Sequence, residues 1–359
     1  MPRHEEALGS PADPEPRAPN PIVELSLARF REFIREPEAV FWTFAFPILM
    51  TMALGIAFRT RTPEPVPVGV ERGPGDAAAL QALAAAGGIA PRIVEPEAVE
   101  TALRDGTVDI VVRPGAPPVF RFDPDRPESR SARLLVDEAL QRAAGRADLW
   151  TGQDAPMRIR GARYIDWLVP GLLGLNIMST GIYGIGFAVV QARTRKLLKR
   201  LMATPMRRSQ YLLSHVLARL VFLALEVGVL VGFAWLAFDV RVAGSLATLI
   251  LTCLVGALAF GGLGLLLASR AQTIEAVSGL MNVAMVPMWI LSGVFFASER
   301  FPAVMQPVIA ILPLTALNTA LRAVVNDGAR LAGITAPLAI LAAWGLGSFA
   351  LALKIFRWR

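Results

Sequence analysis

The chain has 359 residues, 54% of them hydrophobic and 18% charged, with a mean hydropathy of +0.50 and a formal charge of +7. So much apolar surface excludes a soluble domain, which would have to expose it. The positive charge does not point to nucleic acid: all three lysines, Lys196, Lys199 and Lys354, stand at or just beyond the ends of long apolar blocks, and no basic soluble face with interleaved aromatics is present. One cysteine, Cys253, and two histidines, His4 and His215, exclude an intrachain disulfide and a thiolate metal cluster.

Residues 1–21 are rich in proline, mixed in charge and without the apolar core of a signal peptide, so they read as a disordered cytoplasmic tail. In 22–38, Leu27, Phe30 and Ile34 recur on one face while Arg29, Arg31, Glu32 and Arg35 take the others; Pro37 ends or kinks the helix. This predicts an amphipathic helix lying on the cytoplasmic surface of the bilayer, with a plain charged lead-in as the alternative. The first span is predicted over 40–58. Residues 59–165 then lack any long apolar block and carry acidic and basic residues in near balance. Strands are predicted at 66–70, 92–94, 108–112 and 119–122, and helices at 76–86, 97–104 and 130–146, which makes a small α/β domain.

Further spans are predicted at 168–190, 212–238, 246–268, 276–297 and 333–356, each long enough to cross the hydrocarbon core. Pro287 interrupts the fifth, which membrane helices tolerate. Residues 298–332 are apolar but broken by Pro302, Pro307 and Pro313, and read as re-entrant or interfacial helices; a seventh span is the alternative. The 191–211 loop carries Arg193, Arg195, Lys196, Lys199, Arg200, Arg207 and Arg208 with no acidic residue, so it belongs in the cytoplasm. Six spans then put both termini inside and the 59–165 domain outside, in a multi-pass protein of an inner membrane. Few lysines among many arginines fit a GC-rich bacterial genome.

No phosphate-binding glycine loop, zinc-protease motif or nucleophile elbow is present, so no catalytic centre and no resident cofactor or metal are expected in this chain. Charge within a span is costly and marks function by default. Glu226 lies mid-block in the third span with Arg219 two turns before it on one face. Either the pair lines a translocation path or couples protons, or it makes a structural contact with a neighbouring helix. Ala257, Gly261, Gly264 and Ala268 form a small-residue stripe on the fourth span, suited to close packing within one subunit or between two.

The loop Leu197, Leu198, Leu201, Ala203, Thr204, Pro205 and Met206 resembles the second half of a motif in the permease subunits of ABC-2 type exporters; Gln191 to Lys196 departs from the first half. Asp166 to Gly171, Leu291 to Phe296 with Phe301 and Pro302, Leu312 to Thr315 and Leu321 to Val324 resemble later stretches of that family in the same order. The surface helix and the inserted domain are similar to the subgroup with a large extracellular domain after the first span. The resemblance implies an α-helical polytopic fold of the type V-like exporter kind. It implies a permease that moves an amphipathic or lipophilic substrate outward by alternating access, as a homodimer, with ATP and Mg held by a separate ATP-binding cassette ATPase subunit. The coupling residues it implies are Arg193, Arg195, Lys196, Lys199, Arg200, Thr204, Pro205 and Met206. A proton-coupled secondary transporter using Glu226, and a non-transporting membrane scaffold, are the alternatives.

Overall fold

A computed structural model describes residues 26, 27, 30, 31, 33–58, 65–147, 150, 152, 153, 155–157, 161–194 and 208–355, with the backbone alone at 192 and 208–217. The 1–21 tail and the loop residues Arg195, Lys196, Lys199, Arg200, Thr204, Pro205 and Met206 lie outside the described residues. The chain forms two compact units, Thr60–Met157 and the remainder.

In the membrane unit, residues 26, 27, 30, 31, 33 and 34 are helical, and the chain breaks at Arg35 and Glu36. A new helix, α1 (Pro37–Ala57), starts at Pro37, whose fixed φ and missing N–H suit a first turn. The span therefore begins three positions before the predicted Val40, and Phe41–Ala45 within it is π-helical. Pro47 lies just beyond that segment and offers no N–H to the Thr43 carbonyl four residues back.

The second unit contains β1 (Val66–Glu71), α2 (Asp76–Ala85), β2 (Ile89–Val94), α3 (Val99–Arg104), β3 (Ile110–Arg113), β4 (Val119–Arg121) and α4 (Pro127–Ala143). The sheet order is β2-β1-β3-β4; the first three strands are parallel and β4 pairs antiparallel to β3. Strand alternation sends Val68, Val70, Ile110 and Val112 to one face, where Leu83 of α2 and Val136 of α4 cover them. Val94 and Val111 point the other way and pack with Val99 of α3. Both faces are covered, as parallel strands require. The last helix starts at Pro127, earlier than predicted, because proline serves as its first residue.

The chain returns to the membrane unit with α5 (Tyr164–Thr194), α6 (Arg208–Phe238), α7 (Leu246–Ala268), α8 (Ile274–Leu291), α9 (Gln306–Ile311), α10 (Pro313–Val325) and α11 (Thr335–Ile355). Among the described residues, six helices are long and apolar enough to cross a membrane. The α9 region and α10 form a bent pair at 81°, which would make a seventh only if counted as one span. The break falls at Leu312, extended before Pro313. The fifth span ends at Leu291, short of the predicted Ala297, because the chain turns through Gly293 at φ +69°.

The core lies around α7. A Cβ on Gly264 would sit 2.6 Å from the Ile182 carbonyl of α5, and one on Gly262 would sit 2.8 Å from the Gly345 carbonyl of α11. The small-residue stripe is thus used within the subunit, against α5. The C-terminal carbonyls of three spans are taken by arginines from elsewhere. Arg163 donates to Phe238 O at the end of α6 (2.9 Å). Arg193 donates to Ala271 O (2.7 Å) and Ser269 O (3.2 Å) just past α7. Arg322 donates to Gly293 O past α8. Each cation meets the negative end of a helix whose last carbonyls lack intrahelical donors.

Candidate functional site

The predicted coupling region sits between two long helices. Each of α5 and α6 has 31 residues, about 46 Å at 1.5 Å per residue, against a hydrocarbon core of about 30 Å. The predicted apolar block of α6 starts at Leu212, so only its first turn from Arg208 precedes that block on the loop side. Of the predicted loop residues the structure places Arg193, in the last turn of α5. Its guanidinium is held by carbonyls at the end of α7, which fixes the loop end of α5 to that helix.

Deeper in the unit, Arg219 and Glu226 form an ion pair, Nη1 to Oε1, at 2.9 Å, with the glutamate side chain 1% exposed and the arginine 23%. Arg219 Nη2 also donates to Thr180 Oγ1 of α5 (2.7 Å). The Thr180 proton serves Asn176 O at 2.8 Å, with Glu226 Oε2 3.2 Å away. One turn earlier on α5, Asn176 Nδ2 donates to Thr43 O (3.1 Å), the carbonyl that Pro47 leaves without a helical donor. One turn of α5 therefore holds both α1 and α6. Through Thr180 the Arg219–Glu226 pair of α6 is joined to α5.

At the other end of α5 a second polar group gathers. Arg163 binds Asp166 through both carboxylate oxygens at 2.7 and 3.0 Å. The hydrogen bond to that carboxylate pushes the Arg163 guanidinium further above its ordinary value. Pro170 leaves the Asp166 carbonyl without its helical donor, and Asn326 Nδ2 supplies one at 3.0 Å. Asn318 Nδ2 donates to Ser292 O at 3.0 Å, and the Arg322 guanidinium lies 3.4 Å from the Trp167 ring centroid. Helix α10 is thereby fastened to the start of α5 and the end of α8.

One polar pair is absent from the sequence reading. Tyr183 Oη of α5 donates to Asn282 Oδ1 of α8 at 2.7 Å, and the pair is exposed in the middle of two apolar helices. Phe187 stacks on Tyr183 with centroids 5.4 Å apart. A lone tyrosine and a lone asparagine in apolar runs carry no spacing signal; only tertiary contact brings them together. Among the described residues no group of acidic, histidine or cysteine side chains could hold a metal.

Comparison with known proteins agrees with these features. The sequence matches the ABC-2 type transporter family over residues 139–326, more than half of the chain, from α4 to the end of α10. It is 25% identical over 183 residues to the linearmycin resistance permease protein LnrN of Bacillus subtilis (strain 168), covering 51% of this chain and 47% of that protein. It is 30% identical over 171 residues to ABC transporter G family member 20 of Dictyostelium discoideum, covering 46% of this chain and 23% of that one. The matched region thus spans about half the length of the first relative and less of the second. Six apolar helices among the described residues, an arginine-rich loop between two of them and a family match that takes in α5 to α8 make this multi-pass membrane protein a permease of the ABC-2 type transporter family.

Proposed function

We propose that this chain is the membrane half of an ATP-driven exporter that carries an amphipathic or lipophilic substrate outward. The observation that carries the reading is the basic 191–211 loop set between two helices that outrun the hydrocarbon core, with α5 tied to α7 beside it. A separate ATP-binding cassette subunit docks on that loop and on the surface helix 22–38, bringing ATP and Mg with it. Thr204, Pro205 and Met206, with Arg195, Lys196, Lys199 and Arg200, make the contact; Arg193 positions the loop by holding the end of α5. A second copy of the permease completes the transporter. The loop and both termini face the cytoplasm of a bacterial inner membrane, and the Thr60–Met157 unit faces outward.

Glu226 and Arg219 serve in this reading as the joint between α5 and α6. The exposed Tyr183–Asn282 pair supports a path along α5 and α8, because a polar pair turned to hydrocarbon is costly and one turned to a wet cleft is not.

The test is co-purification from membranes followed by ATPase assay, with wild type, Thr204→Asp and Pro205→Gly. A soluble ATPase should come down with the wild type and lose docking or permease-stimulated turnover with the variants. If none co-purifies, or if the variants match the wild type, the docking role of the loop is wrong.

A further inference from the structure

Helix α10 begins deep in the membrane unit. The break before it lies at Leu312, and beside that break Trp344 Nε1 of α11 donates to Ile311 O at 2.8 Å. Trp344 stands nine residues into α11, about 14 Å from its start at 1.5 Å per residue. Thr315, Asn318 and Arg322 then follow at i, i+3 and i+7, which makes one stripe of α10. Asn318 donates to Ser292 O and Arg322 to Gly293 O, so this stripe faces the end of α8.

Three buried oxygens along this seam have no hydrogen-bond partner among the described residues: Ser292 Oγ, Thr315 Oγ1 and Asn318 Oδ1. Ser292 is 1% exposed and Asn318 0%. Asn318 Oδ1 is turned to Gly174 of α5 and leaves no room for a Cβ there, so the seam lies where three helices meet. The protein itself does not satisfy these atoms. Met288 O, one turn before Ser292, accepts from the Ser292 amide. Ile311 O, four residues before Thr315, lies across the break and accepts from Trp344. The Asn318 amide group is engaged by Ser292 O. Buried polar groups of native proteins are bonded to protein or to ordered water. A hydroxyl can donate, whereas an amide oxygen only accepts. A water that accepts from Ser292 and Thr315 and donates to Asn318 Oδ1 makes three hydrogen bonds, the usual number for a buried water.

We propose that the junction of α5, α8 and α10 is a binding site for water, and that the bound water joins Ser292, Thr315 and Asn318 and completes the polar seam between α8 and α10. The site does not depend on the exporter reading. The test exposes the full-length permease in nanodiscs to a brief X-ray pulse, which makes hydroxyl radicals wherever water sits, and maps oxidised residues by mass spectrometry. Met288, one turn before Ser292 and 8% exposed, reports on the seam, with the fully buried Met281 and Met285 of the same helix as references. Met288 should be oxidised several-fold more than either. Thr315→Val keeps the side-chain shape and Ser292→Ala removes only a hydroxyl. Together they should bring Met288 down to the level of Met281 and Met285, while the exposed Met157 is oxidised as in the wild type. If the double variant does not fold, Thr315→Val alone should still lower Met288 oxidation at least twofold. Met288 oxidised no more than Met281 in the wild type would show a dry seam and overturn the site. Equal Met288 oxidation in wild type and variant would trace it to the exposure of Met288 itself and overturn the site as well. Thermal unfolding gives an independent check, because two hydroxyls bound to one water are coupled. The shifts of the single variants should not sum to that of the double variant, and strict additivity would overturn the shared water.

Discussion

Asparagine has an unusual share of the polar work in the spans of this permease. Pro47 and Pro170 each leave one carbonyl without its helical donor, and in each case an asparagine from another helix supplies it: Asn176 to Thr43 O and Asn326 to Asp166 O. A buried carbonyl without a donor costs roughly 1–3 kcal/mol. Asn176→Ala should therefore destabilise the protein by about 1–2 kcal/mol. The same substitution in a Pro47→Ala background should cost less, since an alanine at that position offers the missing N–H. Thermal unfolding of the four proteins in one detergent measures the difference. Equal losses in both backgrounds would show that the proline and the asparagine are uncoupled. Neither partner announces the other in the sequence. A proline in an apolar block reads as a tolerated kink, and an asparagine as one polar residue among many apolar ones. The Arg219–Glu226 spacing was legible because both residues lie on one helix; Thr180, which joins them to α5, lies 39 positions before Arg219.

Among the elements, apolar blocks announce themselves because a bilayer demands about 20 apolar residues in a row. Their ends do not, because helices continue into polar sequence or stop for conformational reasons. Helix α5 runs from Tyr164 to Thr194 although the apolar block covers 168–190, since Arg163 and Asp166 cap its start and Arg193 anchors its end. Helix α8 stops at Leu291 with apolar residues still to come, because Gly293 turns the chain and α10 takes the open carbonyls. The break between α9 and α10 was legible in the prolines, but the fastening of α10 was not. Arg322 holds Gly293 O and the Trp167 ring with one planar group, which a lysine cannot do. Arg322→Lys should cost about 2 kcal/mol through the lost fork and stacking. It should also raise hydrogen exchange across Ser292 to Arg300. Exchange and unfolding midpoint equal to wild type would mean that α10 is held by apolar packing alone.

For the whole molecule, orientation decides which side of the membrane the basic loop faces. Cys253 is the sole cysteine and is 1% exposed, so the native chain should be silent to a membrane-impermeant maleimide. Ser209→Cys at the start of α6 and Gly73→Cys in the β1–α2 loop then report the two sides. In intact cells Gly73→Cys should label and Ser209→Cys should not; inverted vesicles should reverse the pattern. Labelling of both from one side would exclude the six-span arrangement. The fold class was legible because composition and block length dictate it. The sheet order β2-β1-β3-β4 was not, since periodicity gives strands but no pairing.

The proline–asparagine brackets also bear on descent. Neither member is needed without the other: an ordinary residue at 170 supplies its own N–H, and the amide at 326 then has no carbonyl to serve. Lineages that replace Pro170 should drift freely at Asn326, and lineages that replace Pro47 should drift at Asn176. The order of change should be fixed as well. Losing the proline first passes through a stable intermediate, whereas losing the asparagine first passes through one with an orphaned carbonyl, so ancestors lacking only the asparagine should be rare.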